Sequence, residues 1–151
     1  MHQIFSLTPT VTLIALIATA SAKERIMKTP IISKSAPEAI GPYSQAIRAG
    51  DVIYLSGQIG LNPETMQMEE GAEAQIRRVF LNLQAVAEAA GAGLNDAVKL
   101  TVYLADFAHF PSVNEAMAEF FRQPYPARAA IGVAALPRNA LVEIEAVLAV
   151  S

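Results

Sequence analysis

Cysteine is absent from the 151 residues and histidine occurs only twice. The first absence excludes disulfides, thiolate zinc sites, iron–sulfur clusters and a cysteine nucleophile, and it leaves the redox compartment open. The second removes a histidine-rich metal site. Charge is also scarce. Charged residues make up 17% of the chain, with 11 Lys+Arg against 14 Asp+Glu, so nothing electrostatic argues for a nucleic-acid partner. What is abundant is apolar surface, at 53% of residues, which excludes intrinsic disorder. The length suits one domain and is too short for two well-cored ones. So much Ala, Val, Leu and Ile with so little charge suggests a subunit that buries more than one face, as an obligate oligomer does.

The N-terminus requires a separate reading. Val11 to Ala22 is an apolar run that ends in Ala20-Ser21-Ala22, the A-x-A pattern of a signal-peptidase site. It is shorter than the ~20 residues needed to cross a bilayer, so no membrane partner is expected. Against a secretory signal, Met1-His2-Gln3 carries no Lys or Arg, and Pro9 interrupts the stretch. Lys23-Glu24 can be encoded by a purine-rich ribosome-binding sequence, placed suitably before Met27. The preferred reading is therefore translation from Met27 and a cytoplasmic protein; the alternative is a cleaved signal and a periplasmic one. Either way, residues 1–26 are an extension and residues 27–151 a single domain.

Within that domain, Thr29 to Ser33 is a short extended run and Ser35 to Glu38 a loop. Tyr43 to Ala49 and Val52 to Ser56 read as strands joined through Gly50-Asp51, with Gly57, Gly60 and Asn62-Pro63 ending the second. From Ala72 to Ala90 the period becomes helical: Ile76, Val79, Phe80, Leu83, Ala87 and Ala90 share a face, and Gly91 sits where a C′ glycine stops a helix. Val98, Leu100, Val102 and Leu104 alternate as a strand. Ser112 to Glu115 has capping-box form, predicting a second helix buried through Val113, Ala116, Met117, Phe120 and Phe121. Arg128 to Val133 and Leu141 to Val150 follow as strands. The order predicts an α+β fold, a sheet with both helices on one face. The other face, carrying Ala129, Ile131 and Val147, is too apolar for solvent and calls for partner subunits.

Two charged residues lie in apolar surroundings. Arg128 opens a strand within an uncharged stretch, where its guanidinium fork requires an anion. Glu143 lies in Val142-Glu143-Ile144-Glu145-Ala146, and period 2 places Glu143 and Glu145 on one face. Spacing alone favours an Arg128–Glu143 salt bridge. Tyr43 offers a ring and hydroxyl after a Gly-Pro turn, and Ser56-Gly57 ends a strand where a backbone N–H is accessible. Ser56 has no base–orienter pair beside it, so a serine-hydrolase reading is weak. His109 reads as a surface residue, and Asn114 as local polar chemistry in a first helical turn.

Taken in order, Gly41-Pro42-Tyr43-Ser44-Gln45-Ala46, Tyr54-Leu55-Ser56-Gly57-Gln58-Ile59-Gly60, Val113-Asn114 before Phe120-Phe121, Pro126-Ala127-Arg128 and Val142-Glu143-Ile144-Glu145-Ala146 resemble the Rid (reactive intermediate deaminase), or YjgF, family, its RidA branch above all. The resemblance spans the whole domain. It implies a chorismate-mutase-like mixed sheet with two helices on one face, assembled as a homotrimer with active sites between subunits. It also implies hydrolysis of 2-imino acids such as 2-iminobutanoate and 2-iminopropanoate to 2-oxo acids and ammonia, with no cofactor and no metal. By the same resemblance Arg128 would clamp the substrate carboxylate and Glu143 would position or activate water. Tyr43, Ser56, Gly57, Asn114 and Ala130 would line the cleft. Many relatives carry Cys where Ala130 stands, so redox control through that thiol is lost here; the loop Arg122 to Pro126 also looks short. Two other readings stay open: a non-catalytic trimer that binds carboxylate metabolites or acts as a holdase, and an RNA-cleaving inhibitor of translation. The excess of acidic over basic residues disfavours the latter.

Overall fold

The computed structural model describes residues 25–151; the apolar run Val11–Ala22 and its cleavage-like pattern lie outside the described residues. Six strands form one sheet: β1 (Lys28–Ile31), β2 (Ala46–Ala49), β3 (Val52–Ile59), β4 (Ala97–Leu104), β5 (Ala127–Gly132) and β6 (Val142–Ala149). Two helices, α1 (Ala72–Ala89) and α2 (Phe110–Phe120), complete the fold. The strand order is β1-β2-β3-β6-β4-β5, antiparallel throughout except for β4 and β5, which run parallel across the α2 crossover. Among the described residues no helix is long and apolar enough to cross a membrane.

The α+β prediction holds, because the periodicities divide the sheet into unequal faces. Along β6, Val142, Ile144, Ala146 and Leu148 are buried, while Glu143, Glu145, Val147 and Ala149 alternate onto the opposite face. Phe80, Leu83 and Val86 of α1 are fully buried in the same core as Leu100, Val102 and Ile144. Each such side chain contributes about 1.5–3 kcal/mol through burial. Phe80 also stacks on Phe120 of α2, with ring centroids 5.3 Å apart. Gly91 takes φ 75° just beyond α1, as its C′ position requires. The other sheet face remains open, with Tyr54 and Ile131 exposed and Val147 half-buried beside Tyr54.

Four local expectations are corrected. The second helix does not start at a Ser112 N-cap; it begins at Phe110, with Pro111 in its first turn and Ser112 already inside. Proline at this position gives up no hydrogen bond, and the Asp106 carboxylate caps the preceding turn through the Ala108 N–H at 2.9 Å, so the capping-box residues are redundant. Phe121 lies beyond the last turn, extended but buried. Tyr43 precedes β2 instead of belonging to it, on a loop entered through Gly41 at φ 137°. Finally, β3 does not end at Ser56. The strand continues to Ile59 through a bulge in which the register jumps between Leu55–Ala146 and Gln58–Ile144. Here the glycine marks a bulge, which sequence alone renders as a strand end.

Candidate active site

The bulge builds the site. Ser56 and Gly57 together oppose one residue of β6, so the alternation changes phase and Gln58 turns into the core. Ile59 then pairs with Glu143. A Cβ on Gly57 would collide with Oε1 of Glu143 and come within 2.9 Å of its Cδ. Only a glycine lets the carboxylate lie against the bulged backbone. The Ser56 hydroxyl donates to the Ser44 carbonyl at 2.6 Å, which ties the bulge to the loop behind it and removes Ser56 as a free nucleophile.

Around this point lies a cleft of about 580 Å³, with Tyr43, Ser56, Gly57 and Glu143 all in its wall. Tyr43 is about half exposed, and its hydroxyl meets the Ile40 N–H at 3.4 Å. Burial pushes the carboxyl of half-buried Glu143 above the ordinary glutamate range, and the neighbouring charge of Glu145 adds to the effect. Glu145 accepts a hydrogen bond from the Tyr103 hydroxyl at 3.1 Å, and burial and that carboxylate together raise the phenol in turn. Glu143 is thus a carboxylate that holds a proton more readily than usual, beside an open cavity.

Arg128, Asn114 and Ala130 are elsewhere. Arg128 pairs in register with Leu100, a core residue, so it points to the helix side of β5. There it donates to Asn114 Oδ1 at 2.6 Å, sits 4.9 Å from the centre of the Phe110 ring, and touches Met117 Sδ at 3.2 Å. Ala130 packs on the core from the same side. The salt bridge favoured by spacing does not form. Glu143 faces the open side two strands away from Arg128, and the ion pairs among the described residues are Arg77–Glu119 and Arg78–Glu69. One chain therefore presents the predicted site in two halves. No group of three potential metal ligands occurs among the described residues.

Sequence reading missed Arg138, Glu38 and Gln75. Arg138 is the cation in the cleft wall, facing the same space as Glu38, Glu143 and Glu145. It is held there by a turn in which Arg138 and Asn139 both adopt positive φ, 54° and 57°. Asn139 is a residue type that enters the left-handed region readily, whereas Arg138 carries no such signal, and strain of this kind collects at functional sites. Gln75 lies one layer deeper, in the first turn of α1. Its signal was a polar residue on the apolar face of a helix.

Comparison with known proteins places these features in context. The sequence pattern of the family described as Endoribonuclease L-PSP matches residues 33–150. A protein of Dermatophagoides farinae named 2-iminobutanoate/2-iminopropanoate deaminase is 46% identical over 128 residues, covering 84% of this chain and 97% of that one. A mouse protein (Mus musculus) of the same name is 46% identical over 81% of this chain and 91% of its own length. The crystal structure of RidA from an Antarctic Psychrobacter species superposes with a TM-score of 0.80 at 48% identity, covering 81% of this chain and 99% of that one.

Proposed function

The chain belongs to the Endoribonuclease L-PSP family, also known as Rid or YjgF, and from that membership we propose that it hydrolyses 2-imino acids to 2-oxo acids and ammonia. Relatives with nearly half their residues in common, aligned over almost their full length, are named for the deamination of 2-iminobutanoate and 2-iminopropanoate. The observation that carries the reading is Glu143: a half-buried carboxylate seated on Gly57 at an open cleft, with its proton affinity raised and no cation bonded to it among the described residues.

In this reading the substrate is a protonated imine whose carbon bears the carboxylate directly. Glu143 takes a proton from water as its oxygen bonds to the imine carbon, giving a tetrahedral carbinolamine. The same carboxyl returns the proton to nitrogen. As the C–N bond breaks and ammonia leaves, the hydroxyl proton passes to the Glu143 carboxylate and the carbonyl forms; the carboxyl then gives that proton up to ammonia or solvent. A carboxyl with raised proton affinity suits both transfers near neutral pH. Arg128 binds the substrate carboxylate with its planar fork, and Asn114 and Phe110 hold that fork in place. Tyr43, Ser56 and Gly57 shape the wall, and Ala130 leaves room beside the arginine.

The two halves meet in a homotrimer, where the open face of one subunit receives the β5 edge of the next. The apolar residues left uncovered on that face, Tyr54, Ile131 and Val147, support such burial. No cofactor enters the steps, and nucleic acid is no part of the reading, in keeping with the net charge of −3. The proposed compartment is the cytoplasm, with translation from Met27; a mature N-terminus at Lys23 would move it to the periplasm. The test is release of ammonia and 2-oxobutanoate by threonine dehydratase with and without this protein. Acceleration supports the deaminase, and an unchanged rate overturns it.

A further inference from the structure

The side-chain amide of Gln75, 5% exposed, bridges two segments that flank Glu143. Its Oε1 accepts the Leu141 N–H at 2.8 Å, two residues before Glu143 at the entrance to β6. Its Nε2 donates to the Glu69 carbonyl at 3.0 Å. The Glu69 N–H in turn donates to the Gly60 carbonyl at 2.8 Å, at the exit of β3. Gly60 is pressed so closely on the helix that a Cβ there would lie 2.8 Å from the Gln75 Cα. Seven residues on, and so on the same face of α1, Asn82 donates to the carbonyls of Ile59 and Leu61 at 3.2 and 2.9 Å. The exit of β3 and the entrance of β6 are the two sides of the register in which Ile59 meets Glu143. A hydrophobic side chain would fill the same volume but leave the Leu141 N–H without its partner.

We propose that Gln75 is a positioning residue for Glu143, joining the end of β3 to the start of β6 so that the carboxylate stays seated on Gly57. The proposal rests on the reading of Glu143 as the proton-transferring group. The same bond to Leu141 lies two residues beyond the Pro137–Asn139 turn that carries Arg138, so one buried group anchors the segment bearing two of the charged side chains of the cleft wall, Arg138 and Glu143.

The experiment compares Gln75→Met, similar in size and without the amide, with Val86→Ala, which removes buried methyls from the same helix far from the cleft. Two quantities are read in the intact protein: steady-state imine hydrolysis, and the titration of Glu143 followed by carboxyl carbon NMR without substrate. Gln75→Met is expected to lower kcat by about 10–100-fold with KM nearly unchanged. The Glu143 titration should move down toward that of an ordinary glutamate as the carboxylate leaves its half-buried seat and hydrates. Val86→Ala should lose thermal stability yet keep both quantities.

The charged and titratable groups facing Glu143 are Glu145 on its own strand, Tyr103 on β4, and Glu38, Tyr43 and Arg138 on the loops. Of these, Arg138 sits on the turn that Gln75 anchors. Arg138→Gln controls for it, because removing a cation moves the titration up, the opposite direction. If Gln75→Met does not fold, Gln75→Asn, one methylene shorter, reaches one segment instead of two and is read in the same way. Unchanged kcat and an unchanged titration overturn the proposal. A wild-type protein without imine hydrolysis would overturn the assigned function instead, and the titration would still decide the role of Gln75.

Discussion

Among the described residues, the cleft beside β3 and the outer edge of β5 each hold a charged group with no ion-pair partner, and they hold it in opposite ways. Glu143 is half-buried, raised in proton affinity and pressed on backbone, where it has little freedom. Arg128 is exposed and held by uncharged partners, Asn114 and the Phe110 ring, which orient the guanidinium without neutralising it. A protein built only for stability would bring such groups together or leave both in water. Here each is oriented and kept unmatched. In the proposed reaction, that difference would separate a group that exchanges a proton from a group that binds an anion.

The largest effect that sharpens this contrast is expected from Glu143→Gln, which keeps shape but cannot accept a proton. Turnover should fall by about 10²–10⁴-fold with substrate affinity largely retained. In the wild type, activity should decline as pH falls through the raised value of Glu143, so the acidic limb of the kcat profile should lie above the range of an ordinary glutamate. Activity within a few-fold of wild type would transfer the role to Glu145.

Arg128→Lys breaks the comparison from the other side. It keeps the charge and loses the fork, so kcat/KM should fall by about 10–100-fold, mainly through KM. The two variants also test where the halves meet. Unfolded together and reassembled, they should regain activity at about a quarter of the sites, those pairing an intact Arg128 with an intact Glu143 from the next subunit in a ring. No recovery from a mixed trimer, verified by mass spectrometry of the intact assembly, would place both groups in one subunit and contradict the fold.

The smallest effect concerns stability. A carboxyl whose proton affinity is higher in the folded than in the unfolded chain stabilises the fold below its unfolded value. That contribution is lost as pH rises through the folded value. Near neutral pH, ionised Glu143 is therefore a burden, and Glu143→Gln should melt slightly above wild type, with the gain vanishing in acid. Thermal melts at two pH values measure it. Arg128→Lys should show no such gain.

Much of this architecture is legible in the residues, for identifiable reasons. Long periodic segments such as 72–90 and 142–149 bury one face completely, so composition and geometry agree. At the start of α2, Ser112 and Glu115 imitate a cap, while Pro111 is a quieter sign of a first turn, so the residues place the helix start too late. The Arg128–Glu143 salt bridge was misread because spacing cannot say which side of a sheet a residue on a different strand faces. That depends on the parallel β4–β5 pairing, which only the assembled fold sets. Arg138 was invisible because its position comes from a turn whose backbone angles its own side chain does not favour.

The extra residue in β3 has a consequence for how this gene can change. Downstream of Ser56-Gly57 every side chain is one step out of phase with the residues upstream. Deleting a single codon there would restore plain alternation, with Gln58 still opposite Ile144 and facing the core, but it would remove the bulge and with it the seat beneath Glu143. Substitutions around the cavity can be sampled one at a time and the specificity can drift with them. The length of this strand cannot drift: the frame of β3 is the heritable constraint, and relatives with altered substrates should differ in the identity of their cleft residues long before they differ in the count between Leu55 and Gln58.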